Sequence, residues 1–242
     1  MRRLFSLSGV LPLGIFFVAH LWTNAHALSG DASFTIAQQR TAAIPGLFML
    51  ELLFVFAPLA LHAAYGTWLT VTRRALPGPS VYSPAVRTMM RVTGVVALAF
   101  VAFHLVELRI PMATEGMRAS ELHTALSARL STTTWTMPLR AMFYMVGLAA
   151  VAFHFAAGLW GYCVSRSWSH LASARARVSA AIGFGAIGLT LFVVGADVVT
   201  LFATGARLIG RDQVTPLAID SFASPSACPP VAASAQPPSS SP

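Results

Sequence analysis

Charge is what this chain of 242 residues has least of: charged residues make up 10% of it, lysine is absent, and all sixteen basic residues are arginine. So little charge cannot cover a water-soluble domain. With 56% hydrophobic residues and a mean hydropathy of +0.68, the chain is an integral membrane protein. Cysteine is nearly as scarce. Cys163 and Cys228 fall on opposite faces of the bilayer in the topology below, so no disulfide joins them. C-x-x-C-H does not occur, which excludes a covalently attached haem, and there is no phosphate-binding glycine loop and no soluble domain. The formal charge of +8 does not mark a nucleic-acid binder, because the arginines lie between or at the ends of apolar runs.

What is present is a series of long apolar runs. A helical span needs about 20 mainly apolar residues to cross roughly 30 Å of hydrocarbon. Five stretches qualify, at about 8–28, 46–72, 89–110, 138–163 and 179–206. The fold class is all-α, a bundle of five transmembrane helices. The N-terminus and the second and fourth connections carry Arg2, Arg3, Arg73, Arg74, Arg87, Arg91, Arg166, Arg175 and Arg177 and no acid. By the positive-inside rule the N-terminus is cytoplasmic and the C-terminus external, as an odd number of spans requires, and the chain belongs in the cell's inner membrane. MRR and AHA before Leu28 imitate a signal peptide. His20, Trp22 and Asn24 have no use in such a segment, so the run is read as the first span.

Between residues 111 and 137, MATEGMRASELHTALSARL has the pattern of a short amphipathic helix on the outer surface. Residues 1–211 form the membrane domain. From Asp212 to Pro242 the chain is rich in Pro, Ser and Ala and is expected to be a disordered tail.

Four of the seven histidines lie inside spans, one per helix: His20, His62, His104 and His154. A polar side chain in hydrocarbon is costly unless partnered, so each is a functional candidate, although any one alone reads equally well as a hydrogen-bonded core residue. Depth sorts them. His62 and His154 stand about nine residues from the cytoplasmic ends of the second and fourth helices, and His20 and His104 about 12 and 15 from those of the first and third, at about 1.5 Å per residue. The result is an inner pair and an outer pair, each drawn from two helices. Two bis-histidine sites stacked across a bilayer is the arrangement of two b-type haems.

Small residues flank these positions. His62 and His154 both occur in H-x-x-x-G, which puts Gly66 and Gly158 about one turn further in on the same face. Gly14 and Gly94 sit at inner-pair depth and Gly147 near outer-pair depth; the other reading of such glycines is close helix packing. Arg91, near the cytoplasmic end of the third helix, suits either an inner-haem propionate or a plain positive-inside anchor. His26, His123 and His170 lie at interfaces or in loops and are given no ligand role.

With these residues in view, the chain resembles the single-polypeptide, five-helix, two-haem cytochrome b subunits of succinate:quinone oxidoreductases, the succinate dehydrogenase and fumarate reductase family. The resemblance rests on RRLFSLSGVLPLGIFFVAHLWTN, LELLFVFAPLALHAAYG, RVTGVVALAFVAFHLVELR and FYMVGLAAVAFHFAAGLW, in order and one per helix over about residues 2 to 160, while the fifth helix matches in hydropathy alone. It implies that His62 and His154 ligate the haem nearer the cytoplasm and His20 and His104 the outer one. It also implies partner subunits on the cytoplasmic face, a flavoprotein carrying FAD and an iron–sulfur protein, with this chain passing electrons between the nearest cluster and a quinone, menaquinone, in the respiratory chain and the tricarboxylic acid cycle. Some two-haem members have a glutamate two residues before the last haem histidine for transmembrane proton transfer. Here that position is Ala152, which argues against such a path through the fourth helix.

The resemblance places a quinone-site acid at Glu51, near the outer end of the second helix, where a carboxylate could exchange the quinol proton; the other reading is an interfacial acid. Glu107 and Arg109 read as an ion pair with each other, and Asp197 in the fifth helix has no visible partner. Two alternatives stay open: the cytochrome b anchor of another respiratory complex, of hydrogenase or formate dehydrogenase type, and a haem-free transporter or scaffold using the histidines as a proton relay.

Overall fold

Lipid offers a peptide group no hydrogen-bond partner, so an apolar run that enters it must satisfy its backbone within the run, and the helix is the local way to do so. The computed structural model describes residues 2–72, 82–114, 116–165 and 173–209, and the regular structure among them is helical apart from an isolated bridge between Thr134 and Met137. Five helices are long and apolar enough to cross a membrane: Leu4–Ser29, Leu47–Val71, Pro84–Thr114, Leu139–Ser165 and Ala174–Thr204, here the first to fifth spans. Each expected run falls on one of them. The chain is a multi-pass membrane protein, and its exposed Ile15, Trp22, Leu53, Phe54, Leu61, Val71, Ile182 and Leu189 suit contact with lipid rather than water. The tail expected from residue 212 onward lies outside the described residues, as do Cys228 and His170.

Proline marks the irregular places. Pro12 follows a turn at Leu11 that interrupts the first span. The second and third spans each contain one π-turn, Leu52–Phe56 and Leu105–Arg109, and each ends two residues before a proline, Pro58 and Pro111. A proline inside a helix has no N–H for the carbonyl four residues back and its ring collides with that carbonyl; widening the turn relieves both. One π-turn begins directly after Glu51 and the other directly after His104.

The spans do not pack evenly. The fourth is central, meeting both the third and the fifth, whereas the second has Arg2–Val10 as its main neighbour and buries none of its apolar window. Two short helices close the face opposite the N-terminus, here the second face. One is Leu122–Leu130, the second half of the expected amphipathic segment, which buries Leu122, Leu126 and Leu130 on one side at the i, i+4, i+8 spacing of a helical stripe. The other, Asp31–Ala42, was not expected: its pattern is faint because only Phe34 is buried, while Asp31 in its first turn and Arg40 in its last suit the helix dipole. Phe34 is fully buried edge-on to Phe202 of the fifth span at 5.5 Å, and His123 lies 3.5 Å from Asp31.

Asp197 has partners, contrary to the sequence reading. It is 4% exposed and its carboxylate accepts from the N–H groups of Leu208 at 2.6 Å and Ile209 at 3.2 Å and from Arg207 Nη2 at 3.2 Å. These lie beyond the helix end, where Gly205 (φ +74) turns the chain back. Glycine adopts that left-handed conformation without steric cost. Asp197→Ala is therefore expected to destabilise the protein by about 2 kcal/mol, because it removes at once the acceptor of a guanidinium and of two backbone amides. The thermal midpoint in detergent should fall, and by clearly more than in Arg207→Ala.

Candidate functional site

A cavity of about 1260 Å³ runs between the spans, lined by Tyr82, Arg87 and Ser165 toward the N-terminal face, here the first face, and by Gln38, Met112 and Leu130 toward the second. Typical single-ligand sites measure about 300–1,000 Å³, so this one exceeds the usual upper limit. His20, His62, His104 and His154 all line it. Measured from the first-face ends of their spans, His62 and His154 are 9 and 11 residues in, against 16 and 20 for His20 and His104. At about 1.5 Å per residue the two levels differ by roughly 12 Å.

At the first level the imidazoles of His62 and His154 stand 6.1 Å apart, centroid to centroid, at 89° to each other. His62 Nδ1 lies 3.2 Å from the Phe5 carbonyl, and the Phe5 ring stacks on the imidazole at 4.5 Å. A carbonyl only accepts, so Nδ1 carries the hydrogen and the Nε2 lone pair is free. His154 Nδ1 lies 3.4 Å from Thr93 Oγ1, with the Met90 backbone also in reach; the Thr93 hydroxyl itself donates to the Met89 carbonyl at 2.7 Å and is thus left as an acceptor. Both rings are held in the same tautomer. Small residues make room for them: a Cβ on Gly9 would come within 2.5 Å of His62 Cε1, and one on Gly94 within 3.1 Å of His154 Cε1.

At the second level His20 and His104 stand 5.8 Å apart at 83°. Phe16 stacks on His20 at 5.3 Å. His104 Nδ1 lies 3.4 Å from Tyr144 Oη, the Tyr144 hydroxyl donates to Glu107 Oε2 at 2.9 Å, and Glu107 Oε1 pairs with Arg140 Nη1 at 3.0 Å. Tyr144 is buried and the Glu107 side chain is 9% exposed.

These spacings test the fit of a haem. Metal–imidazole bonds of about 2.0 Å on either side of one metal place the two ring centroids about 6 Å apart. Both pairs meet that requirement. Among the described residues no three of His, Cys, Asp and Glu converge on a point. Gly66 and Gly158 line the cavity, and nothing lies within 4 Å of where a Cβ on Gly158 would be. Gly14 also lines it, against Phe155. Gly147 does not: it receives the Phe100 ring, so it serves the contact between the third and fourth spans. Arg91 lines the first-face end together with Arg87, which the sequence reading had not singled out. Tyr82, just before the third span, donates to the Ala157 carbonyl at 2.9 Å, and burial pushes its hydroxyl up to about 12, so it remains a neutral donor.

The acids are arranged differently from the expectation. Arg109 pairs with Glu51 of the second span rather than with Glu107, which turns to Arg140 and Tyr144 of the fourth. Residues two apart point to opposite sides of a helix, about 200° apart, so Glu107 and Arg109 meet different neighbours. Glu51, its side chain 20% exposed, lines the cavity beside Gln38, Thr41 and Arg109. Ala152 is 2% exposed, and its carbonyl would lie 3.2 Å from a Cβ on Gly188, so this position faces the fifth span.

The chain is 33% identical over 165 residues to the succinate dehydrogenase cytochrome b558 subunit of Bacillus subtilis (strain 168), covering 68% of this chain and 78% of that protein. It belongs to the succinate dehydrogenase cytochrome b family. No protein-family model and no solved structure matches it. Family membership decides against the two alternatives the sequence had left open.

The Glu51–Arg109 pair joins the second span, which buries little, to the third. Arg109→Gln is expected to destabilise the protein by about 2–3 kcal/mol, and Glu51→Gln with Arg109→Gln by less than the sum of the single changes, a coupling of about 1 kcal/mol or more. A double-mutant cycle on thermal unfolding in detergent checks it; additive effects would mean that the pair is not formed.

Proposed function

We propose that this chain is the membrane anchor and electron-transfer subunit of a succinate:quinone oxidoreductase, with one b haem held by His62 and His154 and a second by His20 and His104. The observation that carries the reading is the pairing itself, four intramembrane histidines meeting two by two at 6.1 and 5.8 Å. When bound, the haems supply one-electron carriers between an iron–sulfur subunit and menaquinone. The protein's part is to orient and insulate. The Phe5 carbonyl and Thr93 fix the first-level imidazoles, Tyr144 fixes His104, and the small residues Gly9, Gly66, Gly94 and Gly158 keep the cavity open. Leu122, Leu126, Leu130 and Phe202 close its second-face end against water.

In this reading the N-terminus is cytoplasmic and the C-terminus external, in the inner membrane, with flavoprotein and iron–sulfur subunits on the cytoplasmic side near Arg87 and Arg91. Arg91 is at the correct end of the cavity for a propionate of the nearer haem. Glu51, fixed at the cavity wall by Arg109, exchanges the quinone proton near the outer face. The tail from residue 212 takes no part.

Substituting His62 or His154 by Ala should remove one low-spin haem b signal from reduced-minus-oxidised spectra and leave at least part of the other; His20 or His104 substitutions should do the reverse. A wild-type complex without haem, from haem-replete cells, sinks the reading. In Glu51→Gln both haems should remain while electron exchange with quinone falls by roughly 10²–10⁴-fold, the range of a lost general acid or base. Succinate oxidation by an acceptor that draws electrons before the haems should be unchanged. Wild-type quinone turnover in that variant would reduce Glu51 to an interfacial group.

A further inference from the structure

The four histidines differ in what holds their second ring nitrogen. His62 meets a backbone carbonyl and His154 a threonine hydroxyl, both neutral. Among the described residues only His104 leads to a charge, through Tyr144 Oη to the Glu107 carboxylate and on to Arg140. The polarity of this chain is fixed by its parts. Glu107 accepts from the Tyr144 hydroxyl, which leaves the phenolic oxygen to accept from His104 Nδ1–H. The π-turn that follows His104 allows Glu107 to reach the fourth span while the imidazole stays over the cavity. Arg140 anchors the far oxygen of the carboxylate, and Arg129 also lies close enough to act on Tyr144 electrostatically.

We propose that Tyr144, backed by Glu107 and Arg140, is a positioning residue that orients His104 and lowers the reduction potential of the haem held by His20 and His104; this rests on the two-haem reading above. A hydrogen bond from a ligand's outer N–H toward a carboxylate makes the ligand a stronger donor, which favours the oxidised metal, and second-shell bonding of this kind is one of the protein's main means of setting a haem potential. The neutral partners at His62 and His154 have no such effect. The two sites are thereby set apart in potential by the protein rather than by ligand type, which is bis-histidine in both.

The test is a redox titration of the purified complex, following each haem optically, in wild type, Tyr144→Phe and Glu107→Gln. Tyr144→Phe removes the hydroxyl and keeps the ring among Phe100, Phe103 and His104. Glu107→Gln removes the charge and keeps the tyrosine. Both should raise the potential of one haem, the one lost in His104→Ala, by at least 59 mV, a tenfold change in its oxidation equilibrium. The other haem should not move in either variant. Unchanged potentials in both variants with both haems bound would overturn the proposal and leave the two-haem reading intact, while a wild-type complex with fewer than two b haems would fail that reading first. If Tyr144→Phe does not assemble, Glu107→Gln decides: a raised potential supports the chain and an unchanged one refutes it.

Discussion

Every polar group that enters the hydrocarbon region must find its partner inside the bundle, because lipid supplies none, and the architecture follows from how this chain meets that demand. The four histidines meet it in part through Phe5, Thr93 and Tyr144 and in part by facing one another across a cavity. Glu51 and Glu107 meet it with arginines from neighbouring spans, and Asp197 with the chain that folds back beyond its own helix. Each solution ties two spans, or a span and its exit, at one register. A shift of any span by one residue would break several such ties together, so the polar groups fix the register that apolar packing alone leaves loose.

The prolines belong to the same account. Pro58 and Pro111 each cost their span a backbone hydrogen bond, and the chain absorbs the loss as a π-turn rather than a break. Both π-turns lie toward the second face, where Arg109 crosses to Glu51 and Glu107 crosses to the fourth span. A regular helix repeats its faces every 3.6 residues and would keep His104 and Glu107 near one face. The wider turn separates their directions, so a ligand position and its carboxylate support can come from one helix and still meet through Tyr144 of another.

How much of this was legible in the sequence depends on what kind of signal each feature leaves. The five spans are continuous apolar runs, and hydropathy finds them. The histidine pairs could be read because helices alternate in direction, so a residue's distance from one face is a matter of counting, and His62 does meet His154 while His20 meets His104. The acids could not be read in this way. Glu107 and Arg109 are two apart in sequence and so face different sides of their helix, and which neighbour each meets depends on packing that periodicity does not give. Asp197 looked unpartnered because Arg207, Leu208 and Ile209 lie past the helix end, where no periodicity applies. Gly9 escaped notice because it is on the first span, opposite His62 rather than beside it in sequence. The spacing of two between Glu107 and Arg109 was the sequence signal that could have warned against pairing them with each other.

The second span shows what the cavity means for folding. It carries His62, Gly66 and Glu51, yet none of its apolar window is buried, and its chief helical neighbour is Arg2–Val10. Its inner face is cavity wall and its outer face is apolar surface for lipid. Helix packing in a membrane gains little from apolar area as such, because lipid is equally apolar, and relies on close contact and polar bonds. This span has few close contacts, and its specific links are the His62 bond to Phe5 and the Glu51 bridge to Arg109, one toward each end. A ligand that fills the cavity and bonds His62 to His154 adds the missing contact between the second and fourth spans. Ligand binding stabilises whichever state it binds, so in the two-haem reading occupancy of the cavity and closure of the bundle around it are coupled, and the second span, with few close contacts of its own, depends on it most.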